Sequence, residues 1–403
     1  MSHPLESSTS EYIPLELPLS ESDAERLLQT FLDLVRIDSP SGDEAALRQY
    51  LIGRFSELDL KAAGITHETD RGGNLILEIP AYACTNHFRL VLSAHMDVVP
   101  PCLGIRPIVE EIDGDRVIHS DNTTVLGADD KSGLAPILEA VCHAVRNRLP
   151  RPALRLLLTT EEETGLTGAK ALSDASLQAD FAITLDHTGR QGVIIHEAPT
   201  YVAFEIECRG KSAHAGMQPE AGINAIVLAA RIISRLHLGK IDADTTANIG
   251  VIHGGEADNV IPSRVVLNGE LRSHNPERLQ AELDHIAAVL CEEEAALPGS
   301  VCTWNPTVSF ERYHISPEHP GVRGVQKAFE QTGLTPELIR TNGGSDNNVF
   351  VKRGLPGIVL SAGYVAPHSL QERVSLNEMQ ICTRFLLNAF NLFATQVFES
   401  KSV

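Results

Sequence analysis

The sequence predicts an α/β fold, a mostly parallel sheet with helices on both faces, interrupted by an inserted α+β sandwich. Three observations lead there. Short, nearly continuous apolar runs alternate with helical patterns up to about residue 197, as in strands buried on both faces. From Ala198 the pattern changes to alternating strands and two long helices. After Phe310 the first texture returns.

Taken in order, "MSHPLESSTSEYIPLELPLSE" lacks a basic start followed by an apolar block, so residues 1–22 read as a polar tail and not as a secretory signal. "SESDAERLLQTFLDLVRI" predicts a helix with an acid-rich first turn. "SGDEAALRQYLIGRFSEL" predicts a second, with Ser41 or Asp43 as its cap. The runs "NLILEIP", "FRLVLSAHMD", "LRLLLTT" and "FAITLDH" predict buried strands, and a helix is expected from Lys131 to about Arg148. These elements make residues 23–197 the first part of the α/β domain. Residues 198–310 follow the order β-α-β-β-α-β, that of a four-strand, two-helix sandwich: "YVAFEIECRG", "GINAIVLAARIISRLHL", "TTANIGVIHGG", "RVVLNGELRS", "PERLQAELDHIAAVLCEEEAAL" and "CTWNPTVSF". Residues 311–403 close the α/β domain with a helix from Gly321, the loop "TNGGSDNN", the strand "GIVLSAG" and a helix from Asn377.

A chain of 403 residues exceeds one ordinary core, which agrees with a domain plus an insertion. The 53 acidic against 33 basic residues give a formal charge of −20 and argue against nucleic acid or an anionic membrane surface as partner. No apolar run is long enough to span a bilayer. Seven scattered cysteines without a CxxC pair suggest free thiols in a reducing cytoplasm.

Several apolar strands end in side chains that bind metals. "FRLVLSAHMD" ends in His95 and Asp97, "LRLLLTTEEE" in Glu161, Glu162 and Glu163, and "FAITLDH" in Asp186 and His187. "GIVLSAGYVAPH" reaches His368, and "GADDKSG" places Asp129 and Asp130 in a turn opening a helix. Sites in open α/β sheets form at the carboxyl ends of strands, so these groups should converge. Singly, each has a plainer reading: a surface turn, a solvated acid run, an N-cap. Together they crowd about six carboxylates against one lysine, Lys131, and a pair of divalent cations offsets that repulsion best. Mixed imidazole and carboxylate donors without thiolate suit zinc, with manganese or cobalt as alternatives. His95 and Asp97 point to one side of their strand, which suits a metal-bound imidazole oriented by a second carboxylate. An aspartate in a tight turn can bridge two ions, and a neighbouring glutamate left off the metal can take the proton of the attacking water.

In order and spacing, "SAHMDVVP", "LGADDKSG", "TTEEETG" and "PHSLQERVS" resemble the co-catalytic zinc exopeptidase family of peptidase T, carboxypeptidase G, aminoacylase and succinyl-diaminopimelate desuccinylase. "LGADDKSG" and "NGGSDNNVFVKRGLP" look most like the peptidase T (tripeptide aminopeptidase) members. The resemblance runs from about residue 24 to 395. It implies His95 and Asp186 on one metal, Glu163 and His368 on the other, and Asp129 bridging both. It implies Asp97 as the residue orienting His95, Glu162 as general base, and a cis peptide between Asp129 and Asp130. The insertion would be the family's lid, often also its dimerisation surface, so a homodimer through it joins the expectations. His214 in "GKSAHAGMQPEAGINA" would stabilise the oxyanion, and Arg272 and Asn259 would contact substrate, with Gly343, Gly344 and Asp346 of "TNGGSDNN" approaching the peptide backbone. The implied activity is hydrolysis of a terminal peptide bond of short peptides in the cytoplasm, of the tripeptidase type. A carboxypeptidase, or an amidohydrolase of N-acyl amino acids, carries the same metal motifs and is the alternative. A scaffold without catalysis would be expected to lack ligands or base, and all are present.

Overall fold

The computed structural model describes residues 20–58 and 63–396. The tail expected at 1–22 lies outside them except for its last three residues. There a helix already begins, Glu21–Arg36, with Ser20 accepting from the Asp23 N–H at its N-terminus.

The chain divides into two compact units. The first runs to Ile194 and takes in Ile315–Ile339 and the chain from Leu355. Its sheet is ordered Thr66–Thr69, Leu75–Ile79, Ala153–Thr159, Arg89–His95, Phe181–His187, Gly357–Ser361. The last four strands are parallel, and the first two join antiparallel at one edge. Leu90, Leu92, Leu156, Leu158, Ile183 and Leu185 are fully enclosed, as expected for a parallel sheet covered on both faces. Each such side chain contributes about 1.5–3 kcal/mol by leaving water. Register then sets the site: His95 pairs with Thr159, so the chain beyond the first of these strands meets the glutamate run beyond the other.

The helix expected from Lys131 starts earlier, at Ala128, and runs to Arg146. Asp129 and Asp130 lie inside its first turn with non-helical backbone angles. Its Glu139 is buried and accepts from Arg26 Nε at 2.6 Å, Thr30 Oγ1 at 2.7 Å and Arg54 Nη2 at 3.1 Å. That network ties the helix bearing Asp129 to Glu21–Arg36 and to Ala45–Ser56. Gly133 permits its close approach to the sheet, since a Cβ there would meet the Leu185 carbonyl at 2.5 Å.

The second unit comprises Ile195–His314 and Arg340–Gly354. Its sheet is ordered Gly239–Lys240, Thr245–Gly254, Arg264–Ser273, Thr200–Arg209, Val301–Phe310, antiparallel throughout. The helices Ala225–Ile233 and Pro276–Ala296 pack on one face over Phe204, Ile206, Cys208, Leu267 and Leu271. Both start at an asparagine that accepts from the first-turn N–H groups, Asn224 and Asn275.

Two expectations change. The segment Arg340–Gly354 clusters with the second unit, where the sequence had placed it in the returning α/β domain. Arg340 pairs with Asp244, Lys352 with Glu311, and Thr341 N donates to the Glu197 carbonyl at 3.1 Å. These contacts are polar and distant in sequence, so no hydrophobic periodicity announces them. The second correction concerns Ala45–Ser56, which begins at Glu44 with neither Ser41 nor Asp43 as cap. Both Ser41 and Glu44 turn instead to the strand-end loops of the sheet.

Candidate metal centre

At the carboxyl edge of the first unit's sheet, His95, Asp97, Asp129, Asp130, Glu162, Glu163, Asp186 and His368 come together. Asp129 lies between the two imidazoles: its Oδ1 is 3.1 Å from His95 Nε2, and its Oδ2 is 3.3 Å from His368 Nε2. Asp186 Oδ1 lies 3.8 Å from His95 Nε2, and Glu163 Oε1 lies 2.8 Å from His368 Nε2. Three groups gather donor atoms within 4.8 Å of one another: His95, Asp130 and Asp186; His95, Glu162 and Glu163; Asp129, Glu163 and His368. The expected ligand set is thus assembled, with Asp130 as an additional neighbour of His95.

Asp97 organises two sides of this cluster. Its carbonyl lies 3.0 Å and its Oδ1 3.4 Å from His95 Nδ1, leaving Nε2 to face Asp129. Its carboxylate also accepts from Glu162 N at 2.9 Å, Glu163 N at 3.2 Å and Ser41 Oγ at 2.7 Å. Glu44 Oε1 accepts from Glu161 N at 3.1 Å and from Gly42 N at 2.8 Å. The three consecutive glutamates are therefore held by their backbone, which separates their side chains. Glu161 takes φ +49, Glu163 faces His368, and Glu162 lies within reach of His95 and Glu163.

The electrostatics of the cluster suit a cation. Burial alone would lower the His95 pKa, but hydrogen bonds to Asp129 and Asp97 push it well above its ordinary value. Asp129 and Glu163 push His368 up to about 10. Burial would raise Asp129, yet the bonds with His368 and His95 hold it below the usual carboxylate range. Carboxylates crowding both imidazoles in this way are the charge that divalent cations would balance. Asp130 is driven well above its usual range by burial, and its Oδ1 is a buried acceptor with no hydrogen-bond partner among the described residues. Its Oδ2 accepts from His95 N at 3.2 Å, and the Asp129–Asp130 peptide is cis, as expected. Donors of imidazole and carboxylate type, a two-sided aspartate and an orphaned buried oxygen all fit a metal centre.

The remaining expected residues lie in the second unit. His214 is exposed, in the short strand Ala213–His214 that pairs with Val260–Ile261. Its Nδ1 accepts from Gly216 N at 3.2 Å and Met217 N at 3.1 Å, so the ring proton sits on Nε2. Asn259 is beside it, its carbonyl accepting from Ala215 N at 2.9 Å. Arg272 stacks on the Tyr201 ring at 4.4 Å, donates to the Asn342 carbonyl at 2.8 Å and pairs with Glu270 at 2.9 Å. Gly343 is exposed in its loop. Gly344 is packed against the Phe310 ring, which a Cβ would strike. Asp346 is buried at 2% exposure in the first turn of Asp346–Lys352, a position at odds with direct contact to a peptide.

Sequence reasoning overlooked Ser41, Glu44, Tyr364 and Glu372. Tyr364 Oη lies 3.5 Å from Asp186 Oδ1, and its phenol is pushed up by burial and then by the charge of Asp129. Glu372 takes three N–H groups of the turn before Asp130. Of these, only Glu372 carried a signal, sitting four residues after His368 in "PHSLQERVS".

A parallel sheet with carboxylates and imidazoles paired across its carboxyl edge, plus an inserted α+β unit, is the construction of a metal-dependent hydrolase. Comparison with known proteins agrees. The model of peptidase family M28 matches residues 74–219, and that of a peptidase dimerisation domain matches residues 197–297. The chain is 36% identical to the uncharacterized protein YqjE of Bacillus subtilis, over 88% of this chain and 94% of that one. A tripeptidase from Staphylococcus aureus superposes with a TM-score of 0.86 at 34% identity, over 92% and 98% of the two chains. Aminopeptidase PepT from Bacillus cereus superposes with a TM-score of 0.83 at 33% identity, over 92% and 99%. The chain belongs to the peptidase T-like family of zinc exopeptidases. None of its described helices is long and apolar enough to cross a membrane.

Proposed function

We propose that this chain is a two-metal aminopeptidase that releases the N-terminal residue of tripeptides. The observation that carries the reading is the two-sided Asp129, with one oxygen toward His95 and the other toward His368. In this reading His95 and Asp186 hold one ion, Glu163 and His368 the other, and Asp129 both, with zinc the metal that best matches the donors. Bound there, the ions supply Lewis acidity that polarises a peptide carbonyl and makes water nucleophilic near neutral pH. Glu162 takes the proton of the attacking water on its carboxylate and returns it to the leaving nitrogen. Asp97 keeps His95 Nε2 directed at the metal and Glu162 at the water. His214, with its proton on Nε2, serves as donor to the oxyanion. Arg272 takes the carboxylate of the peptide, and Asn259 and the Gly343–Gly344 backbone bind its amides. Asp346, being buried, supports the loop from within.

Tripeptide preference and attack at the N-terminus rest on the names of the tripeptidase and aminopeptidase relatives. The dimerisation-domain match supports a homodimer through the inserted unit, and the scattered free cysteines support a cytoplasmic setting. A peptide-library digest read by mass spectrometry tests the activity. Release of single N-terminal residues from tripeptides is expected, with N-acetyl and N-succinyl amino acids left intact. Release of C-terminal residues, or hydrolysis of the acyl substrates, would assign the chain to the carboxypeptidase or amidohydrolase alternative.

A further inference from the structure

Glu372 is a carboxylate outside the ligand set, 1% exposed, that closes on the backbone of the turn carrying Asp129. Its Oε2 accepts from Leu126 N and Gly127 N, both at 2.8 Å, and its Oε1 accepts from Asp129 N at 2.9 Å. These N–H groups precede or open the helix Ala128–Arg146 and have no acceptor within it. Gly127, at φ +72, takes the left-handed conformation, and the successive N–H groups form a concave anion seat.

A neutral cap would satisfy a helix start at lower cost. A buried carboxylate beside Asp129 and Asp130 adds negative charge where it is already concentrated, and like charge there is unfavourable. What the carboxylate adds is geometry: both of its oxygens are used, so the turn is held at two points. The same loop presents His368 four residues earlier, and Glu372 N donates to the Ser369 carbonyl at 3.1 Å. Beyond it, Arg373–Ser375 pairs with both Tyr364–Val365 and Asp115–His119, which anchors the loop at its base. One loop therefore carries an imidazole facing Asp129 Oδ2 and the clamp on the Asp129 backbone.

We propose that Glu372 is a positioning residue that fixes the Asp129 turn so that both carboxylate oxygens reach their separate cation sites, coupling the occupancy of the two. This rests on reading Asp129 as the bridge. It predicts that weakening the clamp loosens both ions together, although Glu372 touches neither.

The test is zinc affinity of the purified full chain, by competition with a chromogenic chelator, for wild type, Glu372→Gln and Glu372→Asp, alongside kcat and KM. Glu372→Gln puts an amide N–H against backbone N–H groups, and both dissociation constants should rise together by about 10- to 100-fold, the usual scale for partners of metal ligands. With zinc below saturation kcat should fall while KM stays close to wild type. Glu372→Asp keeps the charge one methylene shorter and should lie between the two; it carries the test if the glutamine variant does not fold. Wild-type affinity at both sites in the folded variants overturns the proposal, even if the melting temperature falls. Loss at a single site overturns it as well, since that would mean Glu372 only places the His368 loop. Failure of the wild type to take two zinc ions would instead refute the bridge on which it depends.

Discussion

Asp97 in the first unit and His214 in the second are both fixed by backbone N–H groups, with opposite consequences. Asp97 is fully buried and accepts from Glu162 N, Glu163 N and Ser41 Oγ while touching His95, so it joins three stretches remote in sequence. His214 is exposed, and its ring accepts from Gly216 N and Met217 N of its own loop. A buried anchor shared among segments sets relative positions to a fraction of an ångström, and the chemistry of a metal centre requires that. A local anchor sets the ring's tautomer and does not by itself tie the side chain to remote segments. In the proposed reading, metal binding and proton transfer fall to the first unit's strand ends, and the oxyanion donor and substrate contacts to groups of the second.

That division can be broken by substitution, beginning where the largest effect is expected. Asp129→Ala should empty both cation sites and abolish turnover, read by metal analysis of the dialysed protein; retention of two ions would remove Asp129 from the bridge. Asp97→Asn keeps the shape but turns one of the two carboxylate oxygens, which accept from Glu162 N and Glu163 N respectively, into an amide NH2 that cannot accept. Metal affinity should fall by about 10- to 100-fold, with kcat dropping further because the Glu162–Glu163 backbone is then held at one point instead of two. Unchanged affinity and kcat would make Asp97 a bystander. In the second unit, Arg272→Lys retains the charge but cannot stack on Tyr201 while reaching both Glu270 and the Asn342 carbonyl. KM should rise by about tenfold, equivalent to roughly 1.4 kcal/mol of binding, with metal content intact. A change in kcat alone would place Arg272 with the chemistry and blur the division.

The same contrast explains what the sequence disclosed. The gathering of His95, Asp129, Glu163, Asp186 and His368 was legible because the first four end an apolar strand or open a helix and His368 follows such a strand a few residues later, and sheet topology brings such ends together. The inserted unit was legible from its strand and helix order. Ser41 and Glu44 were not, because Ser41 donates to the remote Asp97 carboxylate and Glu44 accepts from the remote Glu161 N, single contacts with no residue pattern to match; Glu372 showed only as a member of "PHSLQERVS", without its link to the Asp129 turn. The placement of Arg340–Gly354 was hidden for a related reason: it rests on ion pairs and carbonyl acceptors such as the Asn342 oxygen, which any surface loop offers. Asp346 illustrates the reverse error, since an aspartate in a glycine-rich loop suggests a binding residue, yet the Ser345–Asn348 capping box draws it into the start of a helix.

Glu162 is the residue on which the account turns, because its neighbours in the run of three glutamates differ from it only by one step along the chain. Glu162→Ala, assayed with tripeptide and analysed for metal on the same sample, tests the assignment most directly. The account predicts two ions retained and turnover reduced by at least about 10²- to 10⁴-fold, the scale of a lost general base. Near-wild-type turnover, or loss of an ion with the side chain, would contradict it.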